Sequence, residues 1–304
     1  MRPIHSGDII EKVRKLEIRT RQLVTDSLAG SYQSVFKGSG MHFDDVRPYH
    51  PGDEIRTIDW NVTARTGSPH VKKFVEEREL TIMLMIDISA SGDFGSVDRS
   101  KRELMAELGS VIAFSAIRNN DKVGLILFSD FIELYIPPNK GRSHTLRLIR
   151  EILYYQPRGT KTDLVLPVDF VTRVCRRKAV TFLISDYCVS GDFALQLAEL
   201  KTRLMICNRR HDLISVVVTD PREHELPDCG RITVEDAETG AQVELNSSDP
   251  DVRRQWSRLS SARTEQLTHM LGSAGIDRLE LSTDRSYIGP LLAFFGARKR
   301  RLGR

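Results

Sequence analysis

Thr81-Ile82-Met83-Leu84-Met85-Ile86 runs straight into Asp87-Ile88-Ser89-Ala90-Ser91. The apolar run is too short for a helix of its own and reads as a strand buried on both faces. Such a strand belongs in a parallel sheet covered by helices. Asp, Ser and Ser at alternate positions turn three oxygens toward one point just beyond the strand's end. Open α/β sheets bind ligands outside such carboxyl ends. A carboxylate with hydroxyls, and no His or Cys beside it, suits a hard cation such as Mg²⁺.

The chain around this feature alternates in the way a parallel sheet demands. Strand patterns fall at 80–86, 122–128, 131–136, 179–185 and 213–219, and helical patterns at 98–118, 143–155, 164–177 and 192–205. Ser143 and Asp192 stand where helix caps would. Ser129-Asp130 separates the second and third strands as a hairpin turn, so one edge strand is expected to be antiparallel. Further on, Arg231–Asn246 reads as a hairpin around Glu238-Thr239-Gly240, 249–272 as a long helix and Asp277–Ser282 as a last strand. Upstream, 8–28 has helical periodicity. Residues 31–78, rich in Gly, Pro and alternating charge, read as a small irregular β-rich region. A catalytic carboxylate pair there would lack a supporting His at fixed spacing.

Composition excludes several classes. Of 304 residues 40% are hydrophobic and 28% charged, with a formal charge of +4. Arg298, Lys299, Arg300, Arg301 and Arg304 hold the excess, leaving a body of about −1, so no specific nucleic acid is expected as a partner. Cys175, Cys188, Cys207 and Cys229 form no close pair, which argues against a zinc site or a disulfide framework. No apolar run approaches the ~20 residues of a membrane span. Met1–Lys15 lacks a signal-peptide core, which predicts a cytoplasmic location. Pro290–Phe295 beside the basic tail suggests an apolar turn that could touch an anionic membrane surface or nucleic acid.

Two more segments join the first. Gly159-Thr160-Lys161-Thr162 offers another hydroxyl, and Val180–Ser185 is a second apolar strand ending in Asp186. In this order the three segments resemble the metal-ion-dependent adhesion site of von Willebrand factor A domains. The resemblance maps a metal site onto Asp87, Ser89, Ser91, Thr160 and Asp186. Thr160 is a better match than Thr162 because it follows the glycine directly. It further implies that the serines ligate Mg²⁺ (or Mn²⁺ or Ca²⁺) directly and that Asp87 acts directly or through water. Thr160 would approach in the ligand-bound form, and Asp186 would hold a coordinating water.

Ahead of the first core strand, Phe36–Gly40, Phe43–Tyr49, Pro51–Arg56, Ile58-Asp59-Trp60 and Glu76–Glu79 stand in sequence. Together they look like the bacterial family catalogued as domain of unknown function 58. That family is similar to von Willebrand factor A proteins and is associated with MoxR-type AAA+ ATPases. The resemblance implies a von Willebrand factor A-like, doubly wound, mostly parallel α/β sheet with an N-terminal β-rich extension. The expected layout is a helix within 1–30, a family-specific region at 31–78, the main domain with a hairpin insertion at 79–290, and an apolar turn and basic tail at 291–304. The function implied is a non-enzymatic, metal-dependent adaptor for such an ATPase or its client. The rivals are a Mg²⁺-dependent phosphohydrolase and a membrane-surface scaffold. A haloacid-dehalogenase-like phosphatase would prefer a second Asp where Ser89 stands, and no phosphate-loop motif occurs.

Overall fold

The computed structural model describes residues 42–75, 79–189, 191 and 193–302. The expected helix at 8–28, the Phe36–Gly40 and Glu76–Arg78 stretches and the Asp192 cap lie outside the described residues. The chain divides into two units, Phe36–Leu80 and the remainder.

In the smaller unit, β1 (His42–Pro48) and β2 (His70–Val75) form an antiparallel ribbon, with α1 (Trp60–Thr66) between them in the chain. Asp59 caps α1 by accepting from the N–H groups of Asn61 and Val62, and Gly67 ends it at φ 73°, a conformation that favours glycine. The region expected as β-rich is therefore mixed, because a cap and a stop only eight residues apart suffice for two helical turns. Arg47 grips Asp53 with two bonds of 2.8 and 2.7 Å, the fork geometry that arginine offers a carboxylate.

The larger unit runs β3 (Thr81–Asp87), α2 (Lys101–Arg118), β4 (Lys122–Phe128), β5 (Ile132–Asn139), α3 (Arg142–Tyr154), α4 (Val165–Val174) and β6 (Val180–Ser185). It continues with α5 (Phe193–Arg210), β7 (Asp212–Thr219), α6 (Pro221–His224), β8 (Arg231–Glu235), β9 (Gln242–Asn246), α7 (Pro250–Ser273), β10 (Asp277–Ser282) and α8 (Ile288–Leu302). Six strands make one sheet in the order β10-β7-β6-β3-β4-β5. All neighbours are parallel except β4 and β5, the expected antiparallel edge. β8 and β9 stand apart as a two-stranded hairpin.

Strand β3 is buried on both faces, as its unbroken apolar run requires. Met83 and Met85 join Leu164, Val168, Leu197 and Leu271 in a core beneath α4, α5 and α7. Ile82, Leu84 and Ile86 alternate to the other face, where Gly109 of α2 lies close enough for an added Cβ to meet Ile86 Cδ1 at 2.7 Å. Each such buried side chain contributes about 1.5–3 kcal/mol.

Two local expectations change. Helix α3 starts one residue early, capped by Gly141 at φ 97°, so Ser143 is not its cap. The apolar turn and basic tail of 291–304 are, through Leu302, one helix, and Leu291 and Phe295 are buried against the body. Leu291 and Phe295 thus face the core, while Leu292 and Phe294 are only half-buried.

His211 opens β7's approach and is buried, with Nδ1 accepting from the Ala179 N–H at 3.3 Å. Burial, reinforced by the Arg210 charge, lowers its pKa below the usual 6.5. The unfolded chain therefore takes up a proton below about pH 6.5 that the fold refuses, and stability falls as pH drops. Thermal unfolding between pH 7 and 5 should fall more steeply for the wild type than for His211→Asn; parallel slopes would exclude this role.

Candidate metal centre

The parallel register places Ile86 beside Ile184, so β3 and β6 end together and Asp87 meets Ser185. Asp87 is 2% exposed. Its Oδ1 accepts from the Ser89 N–H at 2.9 Å and its Oδ2 from the Ser185 hydroxyl at 2.6 Å. A carboxylate offers about four acceptor positions, so acceptor capacity remains. Burial first, and then the charge of Asp186, push the Asp87 pKa up to about 7 against the pull of the Ser185 and Ser89 hydrogen bonds. A carboxylate in that position gains by meeting a cation.

The turn after β3 brings the hydroxyls in. Ser89 and Ser91 are buried, with their Oγ atoms 3.2 Å apart. Arg102 of α2 clamps the turn by donating to the carbonyls of Ile88 and Ser89, at 2.5 and 3.2 Å. The Ala90 N–H donates to the Thr160 carbonyl at 3.0 Å, tying the third segment to the first. Thr160 itself is exposed, whereas the Thr162 hydroxyl is buried without a hydrogen-bond partner. Of the two threonines, Thr162 thus carries the unsatisfied polar atom.

The loop carrying Thr160 hangs on Glu133 of β5. The N–H groups of Arg158 and Gly159 both donate to Glu133 Oε1 at 2.8 Å. Burial alone would raise the Glu133 pKa, but these backbone bonds outweigh it and hold it low. Gly159 is required by close approach: a Cβ there would lie 2.1 Å from Asp130 Oδ1 and 2.3 Å from Ser129 Oγ.

Asp186 follows β6 and has a partner that pattern reading missed. Lys101 Nζ stands 2.5 Å from Asp186 Oδ2 and 2.5 Å from Glu223 Oε1, with both the Lys101 and Asp186 side chains 1% exposed. Asp186, Cys188 and Glu223 bring ligand atoms within 4.8 Å of one another, a group able to hold a cation, and the lysine ammonium stands on two of them. Burial would lower the Lys101 pKa; Asp186, Cys188 and Glu223 outweigh it and raise it. Lys101 is also the first residue of α2, where the helix dipole disfavours a cation. Only the facing carboxylates make that position tolerable. Ser185, beside Asp186 in sequence, was within reach of pattern reading. Lys101, Glu133 and Glu223 were not, because each reaches the site from a distant element.

A family model described as "Protein of unknown function DUF58" matches residues 45–266. The chain belongs to this family. An uncharacterized protein of Mycobacterium tuberculosis is 31% identical over 290 residues, covering 95% of this chain and 89% of the relative. Among solved structures, BatB from Bacteroides thetaiotaomicron overlaps 73% of this chain and 99% of its own, at 14% identity and a TM-score of 0.47. The VWA domain of SpRpn10 overlaps 71% of this chain and 94% of its own, at 12% identity and a TM-score of 0.40. Within DUF58, the fold of this member is given by its own strand order and parallel register. No helix among the described residues is long and apolar enough to cross a membrane.

Two substitutions probe this architecture. Lys101→Met leaves Asp186 and Glu223 without their cation and should cost about 3–5 kcal/mol in urea unfolding with EDTA present. An unchanged midpoint would show that the carboxylates find other partners. Gly159→Ala forces Ser129 and Asp130 apart and should cost about 1–3 kcal/mol, visible as a lowered melting temperature; an unaltered melt would mean that the loop is free to shift.

Proposed function

We propose that this DUF58 member is a non-enzymatic, metal-dependent protein-interaction module, working as an adaptor or co-chaperone with a MoxR-type AAA+ ATPase or its client. The observation that carries the reading is the meeting of buried Asp87, Ser89 and Ser91 at one strand end, beside the end that bears Asp186. A desolvated carboxylate with spare acceptor capacity next to two hydroxyls fits a hard divalent cation, Mg²⁺ first and Mn²⁺ or Ca²⁺ as substitutes. Asp87, Ser89 and Ser91 would hold it, with Asp186 and the Thr160–Thr162 segment nearby. When bound, a cation surrounded mainly by hydroxyls stays electrophilic and accepts a carboxylate from another protein.

Surrounding side chains suit an interface. Phe94, in the turn after β3, is 44% exposed, and Phe131, in the turn after β4, is 37% exposed, with the Arg158 guanidinium 5.7 Å from its ring centre. Exposed aromatic and arginine side chains are the usual anchors of protein contacts.

Calorimetry should show Mg²⁺ binding that weakens at least tenfold, about 1.4 kcal/mol, in Asp87→Ala and Ser89→Ala, with circular dichroism unchanged. Equal affinity in all three proteins would sink the metal site. The same substitutions and EDTA should weaken capture of a MoxR-type ATPase; capture indifferent to both would move the interface elsewhere. Hydrolysis of a chromogenic phosphate ester with Mg²⁺, lost in Asp87→Ala, would replace the binding role with an enzymatic one.

A further inference from the structure

The end of the sheet opposite the candidate metal centre collects positive charge from three distant parts of the chain. Arg176-Arg177-Lys178 lead into β6, and Arg209-Arg210 close α5 just before β7. Lys299-Arg300-Arg301 form the last turn of α8. Because β6, β7 and β10 are parallel neighbours, their starting ends lie side by side. Helix α8 is brought to the same end by Arg298, which pairs with Asp212 and, at 3.1 Å, with Asp277, the first residues of β7 and β10. Arg301 adds a second bond to Asp277 at 2.7 Å. Every residue of the three basic groups is exposed.

A simpler origin is neutralisation of helix dipoles, since α5 and α8 both end here. A helix C-terminus carries only about half a negative charge. The two cations ending α5 and the three ending α8 exceed that, and residues 176–178 belong to no helix. The group's eight positive charges also exceed the formal +4 of the whole chain, so the remaining residues sum to a net negative charge.

We propose that this end is a docking surface for an anionic lipid bilayer. Among the described residues, none of the exposed large hydrophobic side chains at this end is aromatic; the one beside the charges is Ile206, 45% exposed and one turn before Arg209-Arg210 on α5. An aliphatic residue among arginines suits the headgroup boundary of a membrane, whereas single-stranded nucleic acid is held by stacking on aromatic rings. Clustered cations attract anionic leaflets within a Debye length, ~8 Å at physiological ionic strength. The surface uses none of the candidate metal ligands, so contact is independent of the metal.

Co-sedimentation of the full chain with vesicles tests this. Binding is expected to phosphatidylcholine vesicles containing phosphatidylserine and not to phosphatidylcholine alone, equally in Mg²⁺ and EDTA, and to disappear in high salt. Arg176→Gln with Arg177→Gln should weaken partitioning about tenfold or more, while Arg147→Gln with Arg150→Gln, an equal loss of charge from exposed positions of α3, should change it little. No binding to the anionic vesicles, or equal loss in both double variants, overturns the proposal. Oligonucleotide binding that is lost in the first variant, without vesicle binding, reassigns the surface to nucleic acid.

Discussion

The candidate site depends on one constraint: β3 is hydrogen-bonded on both edges, to β4 and β6, and covered on both faces. A strand so enclosed cannot slide by one residue without turning its methionines and isoleucines to the wrong faces. Its end is therefore fixed, and Asp87 arrives beside Ser185 at the border of the core. There the carboxylate is desolvated enough for its pKa to rise, yet it retains acceptor positions. The same packing that makes the sheet stable makes Asp87 a poor host for its own charge and a good partner for a cation.

Lys101 shows how the fold handles the other carboxylate. An ammonium at a helix N-terminus works against the helix dipole, but here it meets buried Asp186 and half-buried Glu223. Asp186 thus has an internal cation, shared with Glu223, while Asp87 has hydroxyls rather than cations as hydrogen-bond neighbours. Two carboxylates on adjacent strand ends have been given different electrostatic roles by a single lysine on α2. The chain's other long-range charge effect has a topological cause. In a mostly parallel sheet the connecting helices run back along the strands, so α5 and α8 end at the start of the strands and gather their cations opposite the site.

Much of this was legible in the sequence because it is local. The continuous apolar run of β3, the turn residues Ser129-Asp130 and the alternation of strand and helix patterns determined a mixed sheet with an antiparallel edge. Asp87, Ser89 and Ser91 determined an oxygen-rich strand end, since alternate residues share a side whatever packs around them. What the tertiary structure decided are the relations between distant segments. Lys101 lies far in sequence from Asp186 and Glu223, Glu133 from the loop it suspends, and residues 176–178 from the last turn of α8. The contrast between Thr160 and Thr162 is also non-local: sequence position favours the first as a ligand, while packing leaves the second hydroxyl buried without a hydrogen-bond partner. Periodicity reports which side of its own element a residue occupies; which residue faces it across the core is settled only when the elements pack.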